Sequence, residues 1–162
     1  MPDVYLILGS NLGDRIENLK KATDHICRDI GKIVARSSIY ETEPWGFNHE
    51  SNFINQILRI NTSLKPLEVL GKILKIEKLY GRRIKNKKYT AREMDIDILF
   101  YNNKIIKSDK LIIPHPCIRE RMFVLVPMAE LQPDFIHPLL QKPISYLKEI
   151  CSDRRWVREH KD

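Results

Sequence analysis

The segment Arg92-Glu93-Met94-Asp95-Ile96-Asp97-Ile98-Leu99-Phe100 carries the strongest chemical signal in the chain. As a β-strand it alternates, so Asp95 and Asp97 project from one face with Cα atoms about 6.6 Å apart. Ile96, Ile98 and Phe100 are expected to point the other way, toward a core. Two carboxylates side by side repel, so a cation belongs with them. Mg²⁺ favours one or two carboxylates together with substrate phosphates, and a pair of metals sharing such a site can bridge phosphate oxygens. The plain alternative is two exposed strand acids satisfied by nearby Arg and Lys. The preceding segment tips the balance: Arg82, Arg83, Lys85, Lys87, Lys88 and Arg92 fall within eleven residues that hold no acid, and they account for six of the seven net positive charges. Such a run can be a solvated face. Beside a carboxylate pair, it supplies the phosphate-binding half of a nucleoside triphosphate site.

Glu77 is a second oddity. On a helix over Leu67 to Tyr80 it falls in the middle of the apolar arc formed by Leu70, Ile73, Leu74, Ile76 and Tyr80. A carboxylate there needs a partner, such as Arg82 or Arg83, or a function. His115 sits between Pro114 and Pro116, with Arg119, Arg121 and Phe123 close behind. A stiff loop presenting these groups suits an anionic substrate, although an ordinary surface loop reads the same way. Asn55 alternates with Phe53 and Ile57 on a strand face, where an amide could read the hydrogen-bonding edge of a flat heterocycle. Phe53 and Phe123 could stack on such a ring or simply fill a core.

These residues need elements to hold them. Val4 to Leu8 reads as a buried strand. Gly9-Ser10-Asn11-Leu12-Gly13 then turns into a helix, with Asp14 and Glu17 spaced as a capping box. The turn lacks the Walker pattern and is read as allowing close packing of strand on helix. Ile16, Leu19, Ile26, Cys27 and Ile30 are expected to share the buried helical face, with Gly31 as the stop. Ile33 to Tyr40 reads as a strand, Glu41 to Asn52 as a polar loop, and Phe53 to Asn61 as a strand. Pro66 opens a helix that ends near Gly81. Asp95 to Tyr101 is the next strand, with Lys104 to Ile106 returning as a hairpin. A short helix over Val124 to Leu131 and another after Pro143 follow. The charged end after Cys151 is expected to fray and has no functional reading. The order strand, helix, strand, strand, helix, strand predicts an α+β chain with a ferredoxin-like antiparallel sheet (split βαβ), helices on one face and extra C-terminal elements.

The 162 residues are read as a single domain, with 43% apolar and 30% charged residues. No run is long enough to span a bilayer or to form a signal-peptide core. The three widely spaced cysteines fit a reducing compartment, so a cytoplasmic protein is expected.

Taken in order, these segments resemble 6-hydroxymethyl-7,8-dihydropterin pyrophosphokinase, a folate-biosynthesis family, from about Val4 to Leu140. The carriers are Leu8-Gly9-Ser10-Asn11-Leu12-Gly13-Asp14, Tyr40-Glu41-Thr42-Glu43-Pro44-Trp45-Gly46, Phe53-Ile54-Asn55, Ile76-Glu77-Lys78-Leu79-Tyr80-Gly81-Arg82, Ala91 to Ile98, and Pro114-His115-Pro116 with Arg119, Arg121 and Phe123. The resemblance implies transfer of the β,γ-pyrophosphoryl group of ATP to the pterin hydroxymethyl oxygen, with release of AMP. It implies that Asp95 and Asp97 hold two Mg²⁺ and that Arg82 and Arg92 join them in catalysis. Arg82, Arg92, Lys110, His115 and Arg121 would contact nucleotide or phosphate, and Glu77, Ile98 and Ile112 would line the nucleotide site. Thr42, Pro44, Trp45 and Asn55 would hold the pterin edge, with Phe53 and Phe123 sandwiching its ring. Departures from the family pattern fall at Leu74, Ile84, Tyr89, Thr90 and Pro116.

ATP and the pterin are thus the expected partners of a monomer, with no nucleic acid and no membrane. An RNA-recognition module would need an aromatic strand motif that is absent. A nucleotidyltransferase would place Gly-Ser close before the acids, whereas Gly9 and Asp95 are 86 positions apart. A purely structural protein leaves the acid pair and the localised charge unexplained.

Overall fold

The computed structural model describes residues 1–43, 52–80 and 94–161. The strands are β1 (Asp3–Ser10), β2 (Lys32–Arg36), β3 (Tyr40–Thr42), β4 (Phe53–Asn61), β5 (Asp95–Tyr101), β6 (Ile106–Lys107), β7 (Ile112–Ile113) and β8 (Val157–Glu159). The α-helices are α1 (Arg15–Asp29), α2 (Pro66–Lys78), α3 (Met122–Leu131) and α4 (Ile144–Ile150). The main sheet runs β5-β1-β4-β3-β8, with β2 also on β4, and every pairing in it is antiparallel.

Helix α1 starts where the sequence places it. The Asp14 carboxylate accepts the Glu17 N–H at 3.1 Å, satisfying one of the donors a helix start leaves open. Its buried face is Leu19, Ala22, Thr23 and Ile26; Ile16 and Cys27 are exposed rather than part of the stripe. Gly31 is needed for close approach and not for a left-handed cap: a Cβ there would lie 2.1 Å from the Asn61 carbonyl oxygen of β4. Helix α2 opens with Pro66 as its first residue, and Glu68 reaches back to accept the Lys65 N–H at 2.9 Å. Its buried residues are Val69, Ile73, Ile76 and Glu77, while Leu74 lies outward.

Helices cover both faces of the sheet, not one. Val4, Leu6, Leu8, Ile54, Leu58, Ile60, Ile96 and Ile98 pack under α1 and α2. Tyr5, Ile7, Ile57 and Phe100 pack under α3 and α4. The strict alternation expected along β5 also breaks. Leu6 pairs with Ile98 and Tyr5 with Phe100, so Leu99 is an extra residue. This β-bulge sends Phe100 to the face opposite Ile96 and Ile98.

The 33–40 segment is two short strands, because Ser37 turns inward, donating its N–H to the Ile57 carbonyl and accepting the Ile57 N–H on its hydroxyl. The 104–106 segment does not pair back onto β5; β6 pairs with β7 instead. The chain after Cys151 does not fray among the described residues. β8 adds to the sheet on β3, with Val157 opposite Thr42.

Candidate active site

Cross-strand register builds the site. On the face covered by α3 and α4, Asp95 stands opposite Gly9 and Asp97 opposite Ile7. Gly9 in turn stands opposite Asn55, and Asn55 opposite Tyr40. Asp95, Gly9 and Asn55 therefore form one row, with Gly9 the gap between the acid and the amide. A Cβ on Gly9 would lie 2.7 Å from the Asn55 Oδ1. Gly9 belongs to β1 and its role is to leave this space, not to seat a helix. Asn55 is 4% exposed and its Nδ2 donates to the Thr42 Oγ at 3.3 Å. Phe53 lies two residues away on the same face, opposite Thr42, and is half-buried.

Above this row α3 begins. Arg121 precedes it, and its guanidinium carbon lies 5.7 Å from the centre of the Phe123 ring. His115 lies within reach of the Arg121 charge. Burial and then the Arg121 charge push its imidazole pKa down to about 4, and the Asp95 charge opposes them. The ring is neutral at pH 7. Nδ1 accepts the Cys117 N–H at 3.2 Å, which leaves the proton on Nε2 as a donor. The His115 backbone is tied by its own N–H to the Leu99 carbonyl at 3.0 Å.

Along the outer edge of β5 runs a cleft of about 290 Å³. Leu70 and Ile73 of α2 form one wall, Ser108 to Ile112 another, and His115 and Pro116 close one end over Ile96, Asp97 and Ile98. Lys110 and Ile112 are thus brought together with Ile98, His115 and Asp97. Among the described residues β5 is an edge strand, so no further strand takes its outer backbone groups. The Ile96 N–H already points outward and donates to the Glu77 Oε2 at 2.9 Å. Backbone direction alternates along a strand, so Ile98 offers its N–H and C=O to the cleft. Glu77 does not line this cleft: it is 4% exposed and docks α2 on β5 from behind the wall.

Asp95 and Asp97 supply hard oxygen donors, and among the described residues no third His, Cys, Asp or Glu joins them as a metal-ligand group. Two carboxylates with the remaining positions left open fit Mg²⁺ completed by phosphate and water. Arg82, Arg92, Pro44 and Trp45 lie outside the described residues. Sequence reasoning missed the apolar walls given by Leu70 and Ile73, whose signal was the inward arc of α2, and by Leu111, which had no local signal. It also missed Tyr40, whose hydroxyl donates to Glu130 at 2.9 Å and ties β3 to α3. A second hollow of about 470 Å³ is lined by Glu43, Glu120 and Ser152 to Arg155, with no apolar side chain among the described residues to hold a ring.

The chain is similar to known proteins. The chain matches the family model of 7,8-dihydro-6-hydroxymethylpterin-pyrophosphokinase (HPPK) over residues 5–133. It is 43% identical over 148 residues to a 2-amino-4-hydroxy-6-hydroxymethyldihydropteridine pyrophosphokinase of Aquifex aeolicus, covering 91% of each chain. It is 41% identical over 128 residues to the Bacillus subtilis protein of the same name, covering 78% of this chain and 76% of that one. Among solved structures, an HPPK-DHPS in complex with substrates superposes with a TM-score of 0.73 at 16% identity, over 91% of this chain and 43% of that one. The wild-type HPPK-DHPS of Plasmodium falciparum gives 0.70 at 20% identity, over 92% of this chain and 43% of that one. The chain spans less than half of those two, and they speak to the fold alone. With the family model and the two pyrophosphokinase relatives in agreement, the chain belongs to the 7,8-dihydro-6-hydroxymethylpterin-pyrophosphokinase family.

Proposed function

We propose that the protein transfers the β,γ-pyrophosphoryl group of ATP to the hydroxymethyl oxygen of 6-hydroxymethyl-7,8-dihydropterin, in folate biosynthesis. The observation that carries this reading is the junction at β5. Its inner row offers Asp95 beside the Gly9 gap and Asn55, and its outer edge offers a ring-sized cleft ending at His115.

The substrate hydroxyl is the nucleophile. Its oxygen bonds to the β-phosphorus of ATP, the bond from that phosphorus to the α,β-bridging oxygen breaks, and AMP leaves with the electron pair. The hydroxyl proton passes to solvent. Such a transfer needs alignment and charge neutralisation rather than a protein nucleophile. The adenine lies in the β5 cleft against Leu70, Ile73 and Ile112, with Ile98 backbone groups on its edge. The neutral His115 donates from Nε2 to a phosphate oxygen, and Lys110 and Arg121 add positive charge, joined by Arg82 and Arg92. Asn55 and Thr42, with Pro44 and Trp45, bind the polar edge of the pterin, and Phe53 and Phe123 take its faces. Two Mg²⁺ held by Asp95 and Asp97 would neutralise the triphosphate and lower the pKa of the hydroxyl.

The sheet order β5-β1-β4-β2 and its antiparallel pairing support a ferredoxin-like (split βαβ) description. We read the chain as one domain, a monomer and a cytoplasmic enzyme without nucleic-acid partners. Among the described residues no helix is long and apolar enough to cross a membrane.

The test is incubation with ATP, Mg²⁺ and the hydroxymethyl-dihydropterin, with the adenine nucleotides separated by chromatography. AMP that forms only when pterin is present supports the reading. ADP would make the protein a simple kinase, and unchanged ATP with folded protein would remove the enzyme reading.

A further inference from the structure

The span from Asp153 to His160 belongs to none of the roles above, yet it touches both sides of the proposed pterin slot. Asp153 has a side chain only 3% exposed. Its Oδ2 accepts the Met122 N–H at 3.0 Å, and its Oδ1 accepts the Arg155 N–H at 3.1 Å and the Arg155 Nε–H at 3.0 Å. Burial alone would raise its pKa, but the Met122 and Arg155 donors hold it below the usual carboxylate range. Met122 is the first residue of α3, between Arg121 and Phe123. A helix start leaves N–H groups open, and α3 has no capping side chain of its own at Arg121. Asp153 does this work from a remote segment.

The same segment continues into β8, which pairs with β3 and sets Val157 opposite Thr42. The His160 N–H then donates to the Ile39 carbonyl at 2.7 Å. At the far end of α3, Glu130 accepts from the Ser38 N–H and hydroxyl and from the Tyr40 hydroxyl. The helix carrying Phe123 is therefore fastened at both ends, and Asp153, which fastens its first turn, lies four residues before the strand that braces Thr42.

We propose that Asp153 is a positioning residue for the transfer reaction: by holding the Met122 N–H it fixes the start of α3, and with it the Phe123 ring over the pterin. This rests on the proposed placing of Phe123 and Thr42 on the pterin slot. The working group is the acceptor oxygen aimed at Met122, rather than the charge paired with Arg155. Asp153→Asn keeps an oxygen there, Asp153→Glu moves the carboxylate outward by one methylene, and Asp153→Ala removes the acceptor.

The experiment measures KM for pterin and for ATP, with Tm, in these three variants and in Phe123→Ala. Asp153→Ala is expected to raise the pterin KM roughly tenfold, the scale of one lost hydrogen bond to a charged acceptor, with the ATP KM changed less than about twofold. Asp153→Glu falls between, and Asp153→Asn stays within about threefold of the parent. Equal rises in both KM values, no change in Asp153→Ala, or Asp153→Asn as impaired as Asp153→Ala overturns the proposal. If Asp153→Ala does not fold, the Asn and Glu variants decide: equal pterin KM values in those two overturn it. A Phe123→Ala variant with an unchanged pterin KM would instead overturn the placing of the ring, and this inference with it. A raised pterin KM in Phe123→Ala with none in Asp153→Ala would sink this inference alone.

Discussion

Replacing His115 with asparagine removes a titrating ring from the end of the cleft and leaves an oxygen that can accept the Cys117 N–H. In the folded protein, burial and the Arg121 charge hold the ring pKa near about 4, against the pull of Asp95. In the unfolded chain it returns to about 6.5. The folded value is thus the lower one, so the unfolded chain takes up a proton first as pH falls. Stability from this group is intact above about pH 6.5, falls as pH drops toward 4, and is fully lost below that. Linkage puts the loss at about 2 kcal/mol between about pH 7.5 and about pH 5, approaching about 3 kcal/mol at lower pH. Urea unfolding with EDTA and without nucleotide, at a series of pH values across that window, measures it. The parent should lose about 2 kcal/mol more than His115→Asn over the interval, because His137 and the carboxylates titrate alike in both. Parallel stability curves would refute the neutral, half-buried imidazole and the phosphate donor proposed on it.

Gly9→Ala should displace the Asn55 amide, since the new Cβ falls 2.7 Å from its oxygen; pterin affinity by calorimetry should drop roughly tenfold with ATP affinity nearly unchanged. Asp97→Asn should lower turnover on the order of 10²-fold or more while Tm holds, and near-parent kinetics would remove the metal role. Glu77→Ala leaves the buried Ile96 N–H without its acceptor and should cost about 1–3 kcal/mol in urea unfolding. Arg92→Ala should slow transfer on the order of 10²-fold, and an unchanged rate would make the basic run a solvated face.

The acid pair and the amide at Asn55 were legible because each breaks a local pattern: polarity in an apolar strand. The Asp14 cap and the Pro66 start were legible for the same reason, since their signals lie within four residues. What the sequence hid is long-range. Glu77 is plainly misplaced on its helix, yet its partner is a backbone N–H on a strand 19 positions later, and backbone groups carry no residue signature. β8 is short and charged, as edge strands often are, so nothing in Val157 to Glu159 announces a partner. Cys27 and Ile16 look apolar in sequence, but α1 turns only its Leu19, Ala22 and Ile26 side inward. Both faces of the sheet are apolar, and only tertiary contact shows that α3 and α4 take the second one.

The bulge at Leu99 reaches further than strand geometry. Without Leu99 the ladder would run evenly, Ile98 on Leu6 and Phe100 on Tyr5, with every neighbour facing as it does now. A regular strand is therefore open to this sequence by a single deletion. What the deletion would remove, besides one buried side chain, is the carbonyl that receives the His115 amide. An orderly sheet and a tethered imidazole exclude one another here. The irregularity is the anchor, and a gene that lost this one codon would encode a tidier strand and a looser hold on the His115 backbone.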